Sequence, residues 1–456
     1  MQTLILLSAL SIFCLGLEVA GVRILLRWII LGGLAAIGWL EFNQITIAGW
    51  GVEGMVVSDS FSHSFSLLFI LLAMLFVLLS GHFYRREPNK LSDYMALQLF
   101  ALCGAVALVS FGNLSMYFLG LEVLSVTFYT LAGSNRRDRR SNEAAMKYFL
   151  MGSFASGILL FGIALVYSVT ASFDLQQINA MALTTPHPLL QLGVLFILFA
   201  SLFKIGVVPF HFWSPDVYEG APALHTAFFS TLGKAASLAA FYRLFSHCFQ
   251  LQILDWNAVL AVLSALTISV GTLSGLNQQS IKRLLAFSGI SHVGYLMMAL
   301  MGLGAGTQSA LFYYVFAYAI STILAFAVII TILEYAGNDL VSSLRGLGKT
   351  QPVLGALLTL AMLSMAGIPP LAGFFGKYYL FTESIRAGYR YLVLWAVIHS
   401  VISVYIYFKV VLSLYSDNTQ AGSLKINPLY KGVMVFCAVI LVIFGLFPGL
   451  ITGLIR

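Results

Sequence analysis

The chain has 456 residues, of which 60% are hydrophobic and only 9% are charged. A soluble globular protein carries about 25% charged residues, so this composition excludes a surface that faces water on all sides. A membrane-spanning helix needs about 20 apolar residues, and the length leaves room for more than a dozen. The net charge of +7 does not indicate nucleic-acid binding, because most basic residues lie in short loops between apolar runs.

Apolar runs separated by polar or Gly/Pro breaks predict an all-α polytopic membrane protein with about 14 transmembrane helices. Spans 4–8 and spans 9–13 predict two five-helix repeats, which must be inverted because five is an odd number. In chain order, the predicted spans cover residues 2–20, 24–40, 61–83, 94–111, 113–132, 147–170, 189–210, 224–245, 256–276, 283–303, 308–335, 352–382, 390–415 and 430–453.

This order of spans predicts four parts. Residues 1–90 hold three N-terminal helices, 91–250 the first repeat, 251–416 the second repeat and 417–456 a C-terminal helix. No loop between the spans is long enough to form an extramembrane catalytic domain.

The distribution of basic residues predicts the orientation in the membrane. Sixteen of the 24 lysines and arginines lie in loops that follow odd-numbered spans, and four lie on the opposite face. Because cytoplasmic loops are enriched in Lys and Arg, both termini are expected on the non-cytoplasmic side. The densest basic run, at 135–140, is expected to anchor this topology beside anionic lipid headgroups.

Motifs for cofactors and metals are missing from the sequence. The four cysteines stand far apart without the spacing of zinc or iron–sulfur ligands, so we expect them to be small apolar fillers within helices. Neither a phosphate-binding loop nor a dinucleotide-binding glycine motif occurs. The sequence therefore predicts no cofactor-binding and no metal site in this chain, and no nucleic-acid partner.

Five charged residues lie five or more residues away from both ends of a predicted span: Glu122, Lys204, Lys234, Lys377 and Lys409. A charge at the bilayer centre costs about 2.5–3.5 kcal/mol, so such groups are expected to face protein or water and to be functional. Lys409 lies about six residues from the cytoplasmic end of its span, and there snorkelling to the interface is the favoured explanation. Glu122 could be a structural partner of one lysine, and such a partner would also be part of a mechanism.

Two of the lysine-bearing spans are interrupted by proline. Lys204 precedes Pro209, and Lys377 follows Pro369 and Pro370. Broken helices at membrane depth are tolerated where they line a cavity. Their matching positions, in the fourth helix of each repeat, favour a pair of transport sites.

The central spans are unusually polar. His292 lies in span 10, and Tyr318 lies in span 11 together with Tyr313 and Tyr314. Hydroxyl and imidazole groups can both donate and accept hydrogen bonds, as a proton relay requires. A hydrogen-bonded packing histidine remains the alternative for His292.

Several motifs resemble those of proton-antiporter-like membrane subunits of respiratory complex I and Mrp antiporters. Lys204 with Pro209, followed by Pro-Asp-Val-Tyr-Glu-Gly-Ala-Pro at 215–222, is similar to the signature that both groups share. Ala366 to Leu380, with Gly-Phe-Phe-Gly directly before Lys377, resembles subunit N of bacterial NADH-quinone oxidoreductase. Residues 143–150 and 282–288 also resemble that subunit.

The resemblance implies a role for each buried charge. Glu122 is similar to the glutamate that modulates the first lysine, and Lys204 to the lysine of the input half-channel. Lys234 resembles the connecting lysine and Lys377 the lysine of the output half-channel. Lys409, His292 and Tyr318 are further candidates for this proton path.

The resemblance also implies partners and cofactors. It implies a translocase subunit in the bacterial inner membrane that pumps protons while quinone is reduced elsewhere in the complex. Partners would be the lipid bilayer and other membrane subunits, including further antiporter-like subunits. The complex would carry FMN and iron–sulfur clusters and use NAD(H) and quinone. The alternatives are a stand-alone Mrp-type cation/proton antiporter subunit and an assembly scaffold that does not pump.

Overall fold

The computed structural model describes residues 2–19, 25–44, 49–50, 54–84, 91–184, 187–417 and 426–452. These residues are almost entirely helical, apart from a two-stranded antiparallel sheet of β1 (Gly49–Trp50) and β2 (Val57–Ser58). The α-helices, in chain order, are α1 (Gln2–Val19), α2 (Leu26–Gln44), α3 (Ser60–Phe83), α4 (Leu91–Ser110), α5 (Leu114–Ala132), α6 (Arg139–Thr170), α7 (Leu175–Thr184), α8 (Pro188–Ile205), α9 (Trp213–Gly220), α10 (Ala223–Phe228), α11 (Lys234–His247), α12 (Gln250–Leu276), α13 (Ile281–Met297), α14 (Ala305–Ala336), α15 (Leu347–Thr350), α16 (Pro352–Ala366), α17 (Ala372–Arg386), α18 (Arg390–Leu414), α19 (Pro428–Leu446) and α20 (Gly449–Thr452).

The prediction of an all-α polytopic membrane protein is confirmed. Within the described residues, 11 helices are long and apolar enough to cross a membrane. The other three predicted spans also contain helix: one is α2, and two are interrupted. Of these two, one consists of α10 and α11 joined by a π-helical turn at Phe229–Gly233, and the other of α16 and α17. The short helices α7 and α9 were not predicted, because they are too short to show up as apolar runs.

The chain divides into two compact units. The first contains the described residues up to Trp213 and the stretch Leu232–Leu260. The second contains Ser214–Thr231 and the described residues from Ala261 onward. Among the predicted site residues, Glu122, Lys204 and Lys234 therefore lie in the first unit, and Lys409 lies in the second.

Small residues allow close helix packing in the first unit. A Cβ atom added to Gly162 on α6 would lie 2.8 Å from the carbonyl oxygen of Gly193 on α8. One added to Gly193 would lie 2.9 Å from the carbonyl oxygen of Gly162. Small residues at membrane helix interfaces let backbones approach in this way. The contact holds α6 against α8, the helix that carries Lys204.

Each unit repeats the same local connection. In the first unit, Leu114 N donates to Phe173 O over 2.9 Å and Leu175 N to Gly112 O over 3.2 Å. In the second, Ile281 N donates to Asp339 O over 2.7 Å and Val341 N to Gln279 O over 2.8 Å. In both units, backbone hydrogen bonds thus connect the start of one spanning helix to the loop that follows the next long α-helix in the chain. The match supports an internal repeat.

The two proline-interrupted helices end in the same way. α8 is followed by Gly206 with φ +79°, and α16 by Gly367 with φ +83°. Both are left-handed conformations that glycine adopts without steric cost, so the glycine ends the helix where the chain must turn. The predicted breaks next to Lys204 and Lys377 are therefore confirmed, with glycine rather than proline at the end of each helix.

Candidate functional site

Lys204 lies in the last turn of α8 and points into a group of hydroxyls. Its Nζ donates to Ser125 Oγ over 3.0 Å, to Tyr129 Oη over 3.2 Å and to Ser156 Oγ over 3.4 Å. Ser125 and Tyr129 are one turn apart on α5, and Ser156 comes from α6. The hydroxyls give the ammonium group hydrogen-bond acceptors that the apolar surroundings lack.

Glu122 is linked to Lys204 through one of these hydroxyls. Ser156 Oγ donates a hydrogen bond to Glu122 Oε1 and accepts one from Lys204 Nζ. The sequence predicts that Glu122 and Lys204 are close together, and the structure places one hydroxyl between their charged groups. The prediction missed Ser156 because nothing in the sequence indicates which residues of α6 face α5 and α8.

A cavity of about 640 Å³ reaches the Lys204 group from the surface of the first unit. Its lining includes Asp93, Arg136, Asn142 and Tyr129. Tyr129 thus lines the cavity and also accepts a hydrogen bond from Lys204 Nζ. Tyr129 therefore stands between the lysine and the open cavity.

Lys234 is the first residue of α11 and is only 5% exposed. The π-helical turn at Phe229–Gly233 comes directly before it. A Cβ atom at Gly233 would overlap the ring of Phe128, so glycine is needed for this close approach. π-helical turns within α-helices are frequent at functional sites, because they redirect the side chains that follow.

In the second unit, Lys377 on α17 is 6% exposed, and its ammonium group is hydrogen-bonded to two protein groups. Its Nζ donates to the carbonyl oxygen of Ala366 over 2.8 Å and to Ser400 Oγ over 2.9 Å. Ala366 is the last residue of α16, so the ammonium lies at the negative end of a broken helix. The ring centroid of Tyr295 is 5.3 Å away.

His292 lies in the middle of a hydroxyl network. Nδ1 is 2.7 Å from Tyr314 Oη, and Nε2 is 3.0 Å from Tyr407 Oη. The Tyr407 hydroxyl is in turn 2.6 Å from Ser288 Oγ. Tyr318, which the sequence singled out, contacts His292 through its ring at a centroid distance of 4.9 Å. The hydrogen-bonded hydroxyls are therefore those of Tyr314 and Tyr407.

Lys409 binds the end of another helix. Its Nζ donates to Leu276 O over 3.2 Å and to Gln278 O over 2.8 Å. These carbonyls belong to the C-terminus of α12 and the turn after it, where a cation is favourable. The contacts support a capping role for Lys409.

A buried arginine in the first unit was missed by the sequence analysis. Arg243 on α11 is 2% exposed, although the distribution of basic residues predicts that it lies at the non-cytoplasmic face, near the end of its span. It donates to the carbonyl oxygens of Val109 and Phe111, and its guanidinium pairs with Asp59. Burial acts to raise the pKa of the Asp59 carboxyl, but the charge of Arg243 and hydrogen bonds from Arg243 and Ser62 lower that pKa below its usual value.

Comparison with known proteins identifies the family. The family model for "NADH:quinone oxidoreductase/Mrp antiporter, TM" matches residues 112–403. Subunit N of the NADH-quinone oxidoreductase of Flavobacterium psychrophilum is 43% identical over 456 residues, which is 100% of both chains. The chain belongs to the subunit N family of NADH-quinone oxidoreductases.

Solved structures agree with this membership in the subunit N family. A chain of respiratory complex I from Thermus thermophilus, solved with bound aureothin, is 33% identical with a TM-score of 0.85 over 99% of this chain and 98% of that chain. A chain of the Mrp complex from Dietzia sp. DQ12-45-1b has a TM-score of 0.86 over 99% and 95% of the two chains. Its identity of 20% shows a shared fold alone.

The four cysteines of this chain are all buried, within helices or directly after one. Among the residues that the structure describes, no three His, Cys, Asp or Glu side chains come together as metal ligands would. In the first unit, the described residues bring a lysine and a glutamate together with hydroxyl groups. In the second unit, they bring a histidine together with hydroxyl groups. All of these groups can hold and pass protons.

Proposed function

We propose that this chain is the proton-translocating membrane subunit of a NADH-quinone oxidoreductase, in which quinone reduction takes place in other subunits. The names of its relatives support the assignment to this complex, and one structural observation supports proton translocation. Lys204 is joined to Glu122 through Ser156, and to a solvent-accessible cavity through Tyr129. A half-buried ammonium group with both a nearby carboxylate and a route to solvent can load and unload a proton.

The proposed input half works by a change of charge near Lys204. A unit charge 4 Å away is worth about 4 kcal/mol at an effective dielectric constant of 20, roughly a thousandfold in a protonation equilibrium. Glu122 acts over a longer distance, through the Ser156 hydroxyl, so its influence is smaller but of the same kind. While Glu122 is charged it holds the proton on Lys204, and loss of that charge releases the proton.

The proposed output half uses Lys377. Lys234 takes the connecting role, by resemblance to the family, and His292 with Tyr314 and Tyr407 supplies a hydroxyl–imidazole relay. The relay can pass a proton because each member both donates and accepts a hydrogen bond. The predicted repeats, at 91–250 and 251–416, would each supply one half-channel.

The proposed setting follows from the charge distribution and the family. The chain is a multi-pass membrane protein, and we propose that both termini face the non-cytoplasmic side of the bacterial inner membrane. The Tyr129 cavity then opens toward the cytoplasm, beside Arg136 and Asn142. Other membrane subunits, including antiporter-like ones, would be its neighbours. FMN and iron–sulfur clusters would be carried by other subunits of the complex.

The test is proton pumping by the complete complex in vesicles. We expect Lys204→Ala to abolish most pumping and Glu122→Ala to impair it, with Glu122→Asp milder because it keeps the carboxylate. Lys431→Ala, a change at an exposed lysine, is the control that should pump normally. Normal pumping by an assembled Lys204→Ala complex would refute the proposal.

A copurification experiment separates the proposal from a stand-alone Mrp-type antiporter subunit. The proposal expects the tagged chain to copurify with flavin and iron–sulfur proteins and with NADH-dependent quinone reduction. Copurification with membrane subunits alone, without redox proteins, would favour the antiporter instead.

A further inference from the structure

A buried acid–base cluster lies in the N-terminal helices and uses none of the residues of the lysine path. Glu41 on α2 is 3% exposed, and His63 on α3 is 6% exposed. His63 Nδ1 pairs with Glu41 Oε2, while Glu41 Oε1 accepts a hydrogen bond from the Thr3 hydroxyl of α1. On the other side of the imidazole, Nε2 lies 2.7 Å from Ser58 Oγ of β2. Four side chains from four elements thus form one hydrogen-bonded chain.

This chemistry favours a mobile proton. A buried carboxylate is strongly unfavourable unless it is paired or protonated, so Glu41 depends on His63 or on a proton of its own. Imidazole is the side chain that gains and loses a proton near neutral pH. The pair can therefore hold a proton on either member. Ser58 is the partly exposed member of the four, so it is the one through which the imidazole can exchange a proton with solvent.

The cluster is adjacent in sequence to the anchor of the helix that carries Lys234. Asp59 follows Ser58 directly and receives two hydrogen bonds from Arg243, Nη1 to Oδ1 over 3.2 Å and Nη2 to Oδ2 over 3.0 Å. Arg243 lies on α11, nine residues after Lys234, which is about 13 Å along a helix. A change of charge at the cluster therefore acts next to the pair that holds the far end of this helix.

Several charged and titratable groups of the described residues lie at this end of the unit, including Asp174 before α7, which lies beside Gly54 and interacts electrostatically with Cys248 after α11. α2 contributes Glu41, and the N-terminus of α3 contributes His63 and its capping residue Asp59. α11 contributes Arg243 and His247, which interact electrostatically with each other and with Asp59. Glu41 is bonded directly to His63, and Asp59 to Arg243, so the cluster and the anchor of α11 are two separate bonded pairs.

We propose that Glu41 and His63 form a second proton-binding site, separate from the lysine path, that exchanges its proton with solvent through Ser58. In the proposed orientation, α2 ends and α3 begins on the non-cytoplasmic side, so the site responds to the pH of that side. This inference rests on the proposed pumping function. Through Asp59 and Arg243, the binding of a proton at this site adjusts pumping to the proton concentration on the side where protons are released.

The test uses the complete complex in vesicles, with the non-cytoplasmic pH varied at constant cytoplasmic pH. We expect pumping by the wild-type complex to depend on that pH, because the site exchanges its proton with that side. Glu41→Gln and His63→Asn should each flatten the pH profile of pumping, because each removes one titratable member of the site. The double variant should behave like either single one, because both changes remove the same site.

His82→Asn is the matched control. His82 lies on the same helix α3 and is 5% exposed, so it tests the loss of a buried imidazole elsewhere on that helix. It should keep the wild-type profile. An unchanged profile in assembled Glu41→Gln and His63→Asn complexes would overturn the site, whereas normal pumping by Lys204→Ala would overturn the proposed function instead.

A spectroscopic measurement keeps the test valid even where those variants fail to assemble. Infrared difference spectra of the wild-type complex between about pH 6 and pH 8 should show an imidazole signal coupled to a carboxyl signal. Thr3→Val removes one hydrogen bond to Glu41 but leaves both titratable groups, so it should shift the carboxyl band. Spectra in which Thr3→Val changes no carboxyl or imidazole band would refute the proposal.

Discussion

Glu122 and Lys204 are joined through a single hydroxyl group: Ser156 donates to the carboxylate and accepts from the ammonium. The two charges are therefore coupled without being in direct contact. A direct ion pair holds a proton tightly, whereas a pair separated by a hydroxyl can be altered by a small movement of α6. We infer that Ser156 determines how strongly Glu122 controls Lys204.

Ser156→Ala should weaken that control. A hydrogen bond to a charged group is worth about 1.5–3 kcal/mol, so the proton equilibrium at Lys204 should change by about 10- to 100-fold. We expect reduced pumping with electron transfer largely retained, measured in vesicles. Ser153→Ala is the matched control, since Ser153 lies one turn earlier on α6 and is exposed. Equal pumping by the Ser156→Ala and wild-type complexes would show that the bridge is not used.

Lys377→Arg and Lys377→Met should both block turnover. Arginine keeps the charge but does not lose its proton in the working range, and methionine carries no charge. A purely structural lysine predicts a different order, with arginine tolerated and methionine harmful. Electron transfer and vesicle acidification are measured after a native gel has shown that each complex assembles.

Lys409 provides the contrast to Lys377. Because Lys409 caps the end of α12, Lys409→Arg should be tolerated, while Lys409→Met should lower thermal stability with little effect on pumping per assembled complex. Wild-type pumping in Lys377→Arg would leave Lys377 with a fixed-charge role only. A pumping defect in assembled Lys409→Arg would assign a titrating role to Lys409.

The proposed orientation can be tested with introduced cysteines. Asn135 lies in the exposed basic loop and Gln177 is an exposed residue of α7. An impermeant thiol reagent should label Gln177→Cys in spheroplasts and Asn135→Cys in inverted vesicles. The buried native cysteines make a low background. The reverse labelling pattern would invert the topology and exchange the two half-channels.

The Asp59–Arg243 pair should stabilise the first unit in a pH-dependent way. The Asp59 pKa is lowered in the folded state, so its contribution is present above the unfolded value of about 3.9 and is lost as the pH falls through the folded pKa. Asp59→Asn should cost about 2 kcal/mol at neutral pH, because Arg243 loses a charged partner.

Thermal unfolding of the complex in detergent measures this effect. The difference between wild type and Asp59→Asn should be largest near neutral pH and should shrink below about pH 4. Little difference at either pH would show that Asp59 acts only as the N-cap of α3, where it accepts from Ser62 N over 2.8 Å, because asparagine caps a helix equally well.

Sequence patterns located the spans and the buried lysines, but they misplaced two groups at helix ends. The predicted second span ends at residue 40, whereas α2 continues to Gln44 and includes Glu41. Glu41 therefore looked like a loop residue, and its pairing with His63 went unrecognised. Arg243 lies near the end of the predicted span 224–245, where a basic residue is expected at the membrane surface, but it is buried against Asp59.

The sequence by itself determined the membrane class, the spans, the helix breaks and the buried charges, because a bilayer permits few polar residues and each exception stands out. The tertiary structure decided the partner of each buried group. Ser156 is 34 residues from Glu122 and 48 from Lys204, and His292 is 115 residues from Tyr407. Such pairings depend on how each helix is rotated about its axis. That rotation is set by close packing, as at Gly162 and Gly193, and not by the local sequence of any one helix.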